Sequence, residues 1–414
     1  MIQNFDALLQ KYAELTVRVG LNIQPGQRVA IRGPIEAAPY IREVTAAAYR
    51  AGARLVDVGY TDERLTLARF QYAPRDSFEE FPDYIARGME EYGRNGDAFL
   101  SVYSEDPDLL KDQDQTLVSL AEQTSLKHYK AYNDLLFANR FPWSVISVSI
   151  PSWAARVFPG LPGEESVERL WEAIFRICRV DGADPVAAWK DHLSKLAARA
   201  GYLNAKRYSA LHYAGPGTDL TIGLPDGYLW TSGEGTTQGG IRFTANIPTE
   251  EVYTLAQRDR VEGTVAATRP LAHAGTLVEG FWLRFSSGKV VDFHADKGEE
   301  VLRRLLETDE GARRLGEVSL VPNSSPISQA GYLFNNMLYD ENAACHLALG
   351  HAYPETLEGG IQMSEEEFAR AGGNISLEHD DFMVGSGELD VDGIRADGTS
   401  EPVLRKGEWA FSLA

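Results

Sequence analysis

The chain has 414 residues, 44% of them hydrophobic and 24% charged, which is the make-up of an ordinary globular protein long enough for two domains. Forty basic against sixty acidic residues give a formal charge of −20, which repels phosphate backbones and anionic membrane surfaces and so argues against nucleic acid and membrane partners. Cys178 and Cys345, the two cysteines, supply neither a disulfide framework nor a C-x-x-C motif, so a reducing, cytoplasmic setting is expected.

The opening MIQNFDALLQKYAELTV mixes acids into an amphipathic helical pattern and is not read as a secretion signal. No run of about 18 uncharged apolar residues occurs, so no membrane span is expected. A Pro25-Gly26 turn leads into the strand RVAIRG, the helix AAPYIREVTAAAYRAG and the strand RLVDVGY, a βαβ unit. Further strands are expected at 97–104 and 143–150, and helices at 165–179 and 185–200. The expected fold of 1–204 is therefore an α/β domain with an open, mainly parallel sheet covered by helices.

After about residue 204 glycine and proline become dense and short β-rich runs dominate, among them DLTIGL, GIRFTANI, TLVEGFWLRF and KVVDFHA. A second domain of α+β type, rich in antiparallel strands, is expected over 205–414, with one helix at 297–315. The chain lacks a phosphate-binding G-x-x-x-x-G-K-[ST] loop, an H-E-x-x-H helix and a G-x-S-x-G elbow. The turn after the first strand, RGPIEAAP, lacks the glycines of a dinucleotide site.

Four segments of the second half place acids and histidines inside apolar patterns. In NISLEHDDFMVGS, a strand would put His379 and Asp381 on one face with Ile375, Leu377 and Met383, and Asp380 on the other. That pair reads either as two metal ligands or as a buried hydrogen-bonded couple. In FTANIPTEEVYT, Glu250 and Glu251 would face opposite sides of an extended chain, so one ion does not easily take both; a ligand beside a proton acceptor is one arrangement, two solvated acids another. In GEVSLVP, Glu317 is read as opening a short apolar strand, a position where acids are commonly exposed.

The fourth segment is DENAACHLALGHAY. Glu341 and His346 stand too far around a regular helix to share a face, so the chain is expected to turn and then run extended. Cys345 is read as a small buried filler rather than a nucleophile, and His351 as exposed or as a support to a neighbouring ligand. Glu251, Glu317, Glu341, His346, His379 and Asp381 together offer four carboxylates and two imidazoles, donors that match two divalent cations. Two ions about 3.5–4 Å apart can lower the pKa of a shared water and clamp a carbonyl oxygen, which suits amide hydrolysis.

NIPTEEVYT, GEVSLVP, YDENAACHLALGHAY and HDDFMVG, in this order, resemble the thermophilic metallo-aminopeptidases of the aminopeptidase T and aminopeptidase S type, and the likeness extends over essentially the whole chain. The resemblance implies a cytoplasmic, homodimeric exopeptidase that removes the first residue of a peptide with a free N-terminus, using two divalent ions (zinc, cobalt or magnesium) and a bridging hydroxide. It implies Glu251, Glu317, Glu341, His346, His379 and Asp381 as metal ligands, with Glu317 bridging. Glu250 is implied as general base by analogy with other dinuclear aminopeptidases, and Tyr353 as a phenol beside the metals. Asp380, between the ligating His and Asp, and His351 depart from the common pattern. A different dinuclear metallohydrolase, an amidohydrolase or phosphoesterase, would use the same ligand types and stands as the alternative.

Overall fold

A computed structural model describes residues 2–273 and 276–413. The chain divides into two compact units: Met1–Leu193 with Gly233–Thr249 and Tyr332–Leu338, and Ser194–Ser232 with Glu250–Gly331 and Tyr339–Ala414.

The first unit is built on a four-stranded parallel sheet in the spatial order Leu55–Thr61, Arg28–Pro34, Ala98–Val102, Trp143–Ile146. Val29, Ala30 and Ile31 are buried without a break, as expected of a parallel strand covered on both faces. The connecting helix Ala38–Arg50 carries a proline in its first turn, where a missing N–H costs nothing. It buries Tyr40, Ile41, Val44, Ala47 and Ala48, one stripe at helical spacing. The two later helices run Gly163–Ile177 and Pro185–Lys206.

The second unit is rich in antiparallel pairing. An eight-stranded sheet runs Lys289–His294, Trp282–Ser286, Val261–Ala266, Thr218–Gly223, Ala210–Gly215, Asp390–Ile394, Ser400–Arg405, Glu408–Trp409. A five-stranded sheet runs His379–Met383, His346–Gly350, Leu315–Leu320, Val252–Leu255, Thr231–Ser232. The α/β and α+β character read from the sequence is therefore the observed one.

The helix expected at 297–315 is shorter, Glu299–Glu307. Asp309 ends it by accepting hydrogen bonds from the Ala312 and Leu377 amides and the Ser376 hydroxyl. A tight turn at Gly311–Arg313 follows, with Gly311 so close to the Ile375 carbonyl that a Cβ would stand 1.9 Å from its oxygen. The chain is already extended at Leu315, which puts Glu317 inside a fully buried strand rather than at its exposed start.

Candidate metal centre

Residues paired across antiparallel strands point to the same face of a sheet. In the five-stranded sheet Leu255, Glu317, Ala348 and Asp381 form one row across the strands, and Tyr253, Ser319, His346 and Met383 form the next. Polar side chains from four segments far apart in sequence thus collect on one face. The other face carries Val252, Val318, Leu320, Leu347, Leu349 and Phe382, all buried in the core. Hydrophobic burial on that side holds the strands in a register that a one-residue slip would invert.

Five of the residues singled out in the sequence converge on that polar face. Nε2 of His346 lies 3.1 Å from Oε2 of Glu251, 3.7 Å from Oε1 of Glu317 and 4.0 Å from Oδ1 of Asp381. Nε2 of His379 lies 3.5 Å from Oε2 of Glu317 and 3.7 Å from Oδ1 of Asp381. Two trios result, Glu251–Glu317–His346 and Glu317–His379–Asp381, each able to bring its ligand atoms within 4.8 Å of one another. Glu317 belongs to both.

Glu341 stands outside the two trios, in the turn Glu341–Ala343, yet its carboxylate is repelled by those of Glu251, Asp381 and Glu317. Asn342 Nδ2 donates to Glu341 Oε1 at 3.2 Å, and Asn342 Oδ1 accepts from the Glu250 amide at 2.8 Å. The expected turn followed by an extended run is what this segment forms, its strand being His346–Gly350. Tyr353 follows that strand, and its ring stands 4.6 Å from that of His379. The neighbours Glu250 and Glu251 are both buried; Glu251 faces His346, whereas the Glu250 carboxylate stabilises the charge of Arg199, a guanidinium destabilised by its own burial.

Protonation follows from crowding. Burial disfavours the charge of Glu251, but His346 and the Ser319 hydroxyl outweigh it and hold the carboxyl below its ordinary range. Glu317 is pushed up to about 7 by burial and by the charges of Asp381 and Glu251, against the pull of the two histidines. Glu341 is driven well above the usual range by burial first and its acidic neighbours second. Burial alone would lower both imidazoles; Glu251 and Glu317 raise His346, and Asp381 and Glu317 raise His379. Burial and nearby carboxylates also lift the Tyr353 phenol, so it stays protonated and able to donate.

A donor set of this kind fits divalent cations. His346 turns Nδ1 to the Ala344 carbonyl at 3.2 Å and His379 turns Nδ1 to the His351 carbonyl at 2.8 Å. A carbonyl only accepts, so each Nδ1 carries a hydrogen and each Nε2 is the atom turned to the carboxylates: it shares a proton with them without metal and offers its lone pair to a cation once that proton leaves, the orientation typical of metal-ligating histidine. His351 supports His379 through its backbone rather than its ring. Gly316 makes that possible: a Cβ there would stand 2.3 Å from the His351 oxygen.

The residues 5–409 match the family model described as thermophilic metalloprotease (M29). The chain belongs to this family. It is similar to aminopeptidase 2 of Geobacillus stearothermophilus, 50% identical over 406 residues and 98% of both chains, and to aminopeptidase T of Thermus thermophilus, 48% identical over 98% of this chain and 99% of the other. Among solved structures, wild-type AmpT from Thermus thermophilus superposes with a TM-score of 0.93 at 47% identity, covering 98% of this chain and all of its own. Within this M29 framework, two supporting residues escaped the sequence reading. Ser319 shares the face of Glu317 by strand alternation and was within reach of the same parity argument. Asn342 sits in the quoted stretch, but nothing in a sequence says which way an amide turns.

Proposed function

We propose that this metallo-aminopeptidase works through two divalent ions, one in each trio with Glu317 between them, and hydrolyses the first peptide bond of a peptide with a free N-terminus. That the chain is an aminopeptidase of the M29 metallopeptidases follows from family membership and from relatives that match it end to end. The dinuclear reading is carried by one observation, the two oxygens of Glu317 facing two different imidazoles. Zinc, cobalt and magnesium are the ions proposed. Bound there, such a pair supplies Lewis acidity, which activates water and polarises the scissile carbonyl.

The chain's own groups then divide the work. Glu251, Glu317, Glu341, His346, His379 and Asp381 would hold the ions, their four carboxylates neutralising the charge. Tyr353, kept protonated by its surroundings, donates to the carbonyl oxygen as charge grows there, which lowers the barrier because the bond strengthens in the transition state. Glu250 accepts the proton released by the attacking water and passes it to the leaving amine.

Both cysteines are free and buried, which fits the proposed cytoplasmic setting; the proposed homodimer rests on the family resemblance, and sedimentation would test it. Among the described residues no helix is long and apolar enough to cross a membrane. The decisive assay is release of p-nitroaniline from an aminoacyl p-nitroanilide. Activity that disappears on chelation, returns with each added ion and is absent on the N-acetylated substrate supports the reading; cleavage of the acetylated substrate at an equal rate refutes it.

A further inference from the structure

The strand His379–Met383 has a second polar face. His379 and Asp381 point to the centre described above, while Asp380 and the preceding Glu378 share the opposite parity. There they meet His273, from the short hairpin strand Leu271–His273: Nδ1 of His273 lies 2.8 Å from Oδ1 of Asp380, and His273, Glu378 and Asp380 can each offer a ligand atom within 4.8 Å of the other two. Thr308 donates its hydroxyl to Oε1 of Glu378 at 2.9 Å, fixing that carboxylate.

We propose that His273, Glu378 and Asp380 form a separate divalent-cation site on the reverse of the strand that supplies His379 and Asp381. Charge is the first reason. Two carboxylates carry the complement of one dication, Asp380 is buried, and neither acid forms an ion pair with a lysine or arginine among the described residues. Geometry is the second: all three residues bring a ligand atom within 4.8 Å of the others, and the 2.8 Å hydrogen bond between His273 and Asp380 already holds two of those atoms near the roughly 3 Å that separates two ligands about 2.1 Å from one ion and at right angles. An imidazole with two carboxylates selects a first-row transition ion over calcium, and Mn²⁺ or Zn²⁺ with solvent completing its shell is the expected occupant, because His273 and Glu378 are only partly buried.

Such an ion would clamp the Leu271–His273 strand to the catalytic strand between two of its proposed ligands. Its role is to position, since it touches no reacting atom. The site is independent of the one on the front face and goes beyond the peptidase reading.

The test is a count of bound Mn²⁺ per chain after equilibrium dialysis, made on the full chain, on His273→Ala and on Glu378→Gln, all with the far-UV circular dichroism of the parent. A Glu317→Ala/His346→Ala double variant with the same spectrum is counted alongside, to remove the front trios whatever their role. The parent should bind one ion more than either single variant, and the double variant should keep one. Equal counts in the parent and both single variants, or a folded double variant that binds no Mn²⁺, would overturn the proposal without bearing on the front face.

Discussion

Ser319 Oγ donates to Oε2 of Glu251 at 2.6 Å, and both side chains are buried. The serine hydroxyl fixes one oxygen of a carboxylate that also faces His346, so the carboxylate is oriented before any cation arrives. Ser319→Ala should therefore weaken metal affinity by roughly 10–100-fold, the usual cost of losing a hydrogen bond behind a ligand. Competition against a chromogenic chelator measures it, and saturating metal should restore most of the turnover.

Glu250 and Tyr353 are assigned to chemistry rather than to metal holding, and the two roles separate experimentally. Glu250→Gln should lower kcat by roughly 10²–10⁴-fold, and Tyr353→Phe by about 10²–10³-fold, with bound metal unchanged in both. Loss of metal on Glu250→Gln would exchange the parts of Glu250 and Glu251.

Metal uptake should depend on pH with a definite sign. Without metal, Glu317 in the folded chain is raised to about 7 from an ordinary 4.5, so between those values the folded state holds a proton that the unfolded state has lost. The stabilisation from that proton is complete below 4.5 and is lost as pH rises through 7. A cation must displace the same proton, so binding releases protons and tightens as pH climbs towards about 7. His346, raised by Glu251 and Glu317, acts in the same direction, whereas Glu251, already lowered, does not compete. Calorimetry in buffers of different ionisation enthalpy counts the protons released at each pH.

Gly316 should be intolerant of a side chain. A Cβ would collide with the carbonyls of Gly350 and His351, and the second of these holds His379. Gly316→Ala is expected to cost about 1–3 kcal/mol of stability, as overpacking usually does, and to reduce metal affinity as well. Thermal denaturation with and without metal separates the two effects: the metal-dependent rise in Tm should shrink.

Much of this centre was readable from strand parity. The pairing of His379 with Asp381 on one face and Asp380 on the other is pure alternation, and the turn before His346 followed from a spacing that no helix could use. Glu317 was harder, because a buried acid in an apolar strand looks like an exposed one at a strand's edge until the helix before it is known to end at Glu307. The convergence itself is a matter of sheet order. His379–Met383, His346–Gly350, Leu315–Leu320 and Val252–Leu255 lie side by side through pairings between segments distant in the chain, and no local pattern specifies those neighbours. The shortened helix was misjudged for a similar reason, since its end is set by Asp309 reaching the Leu377 and Ser376 region.

Anomalous scattering from crystals of the chain grown with Co²⁺ tests most directly whether Glu317 joins two cations. Two peaks are expected on the polar face of the five-stranded sheet, one among Glu251, Glu317 and His346 and one among Glu317, His379 and Asp381. A single peak there, or peaks that Glu317 does not touch, would contradict the dinuclear centre.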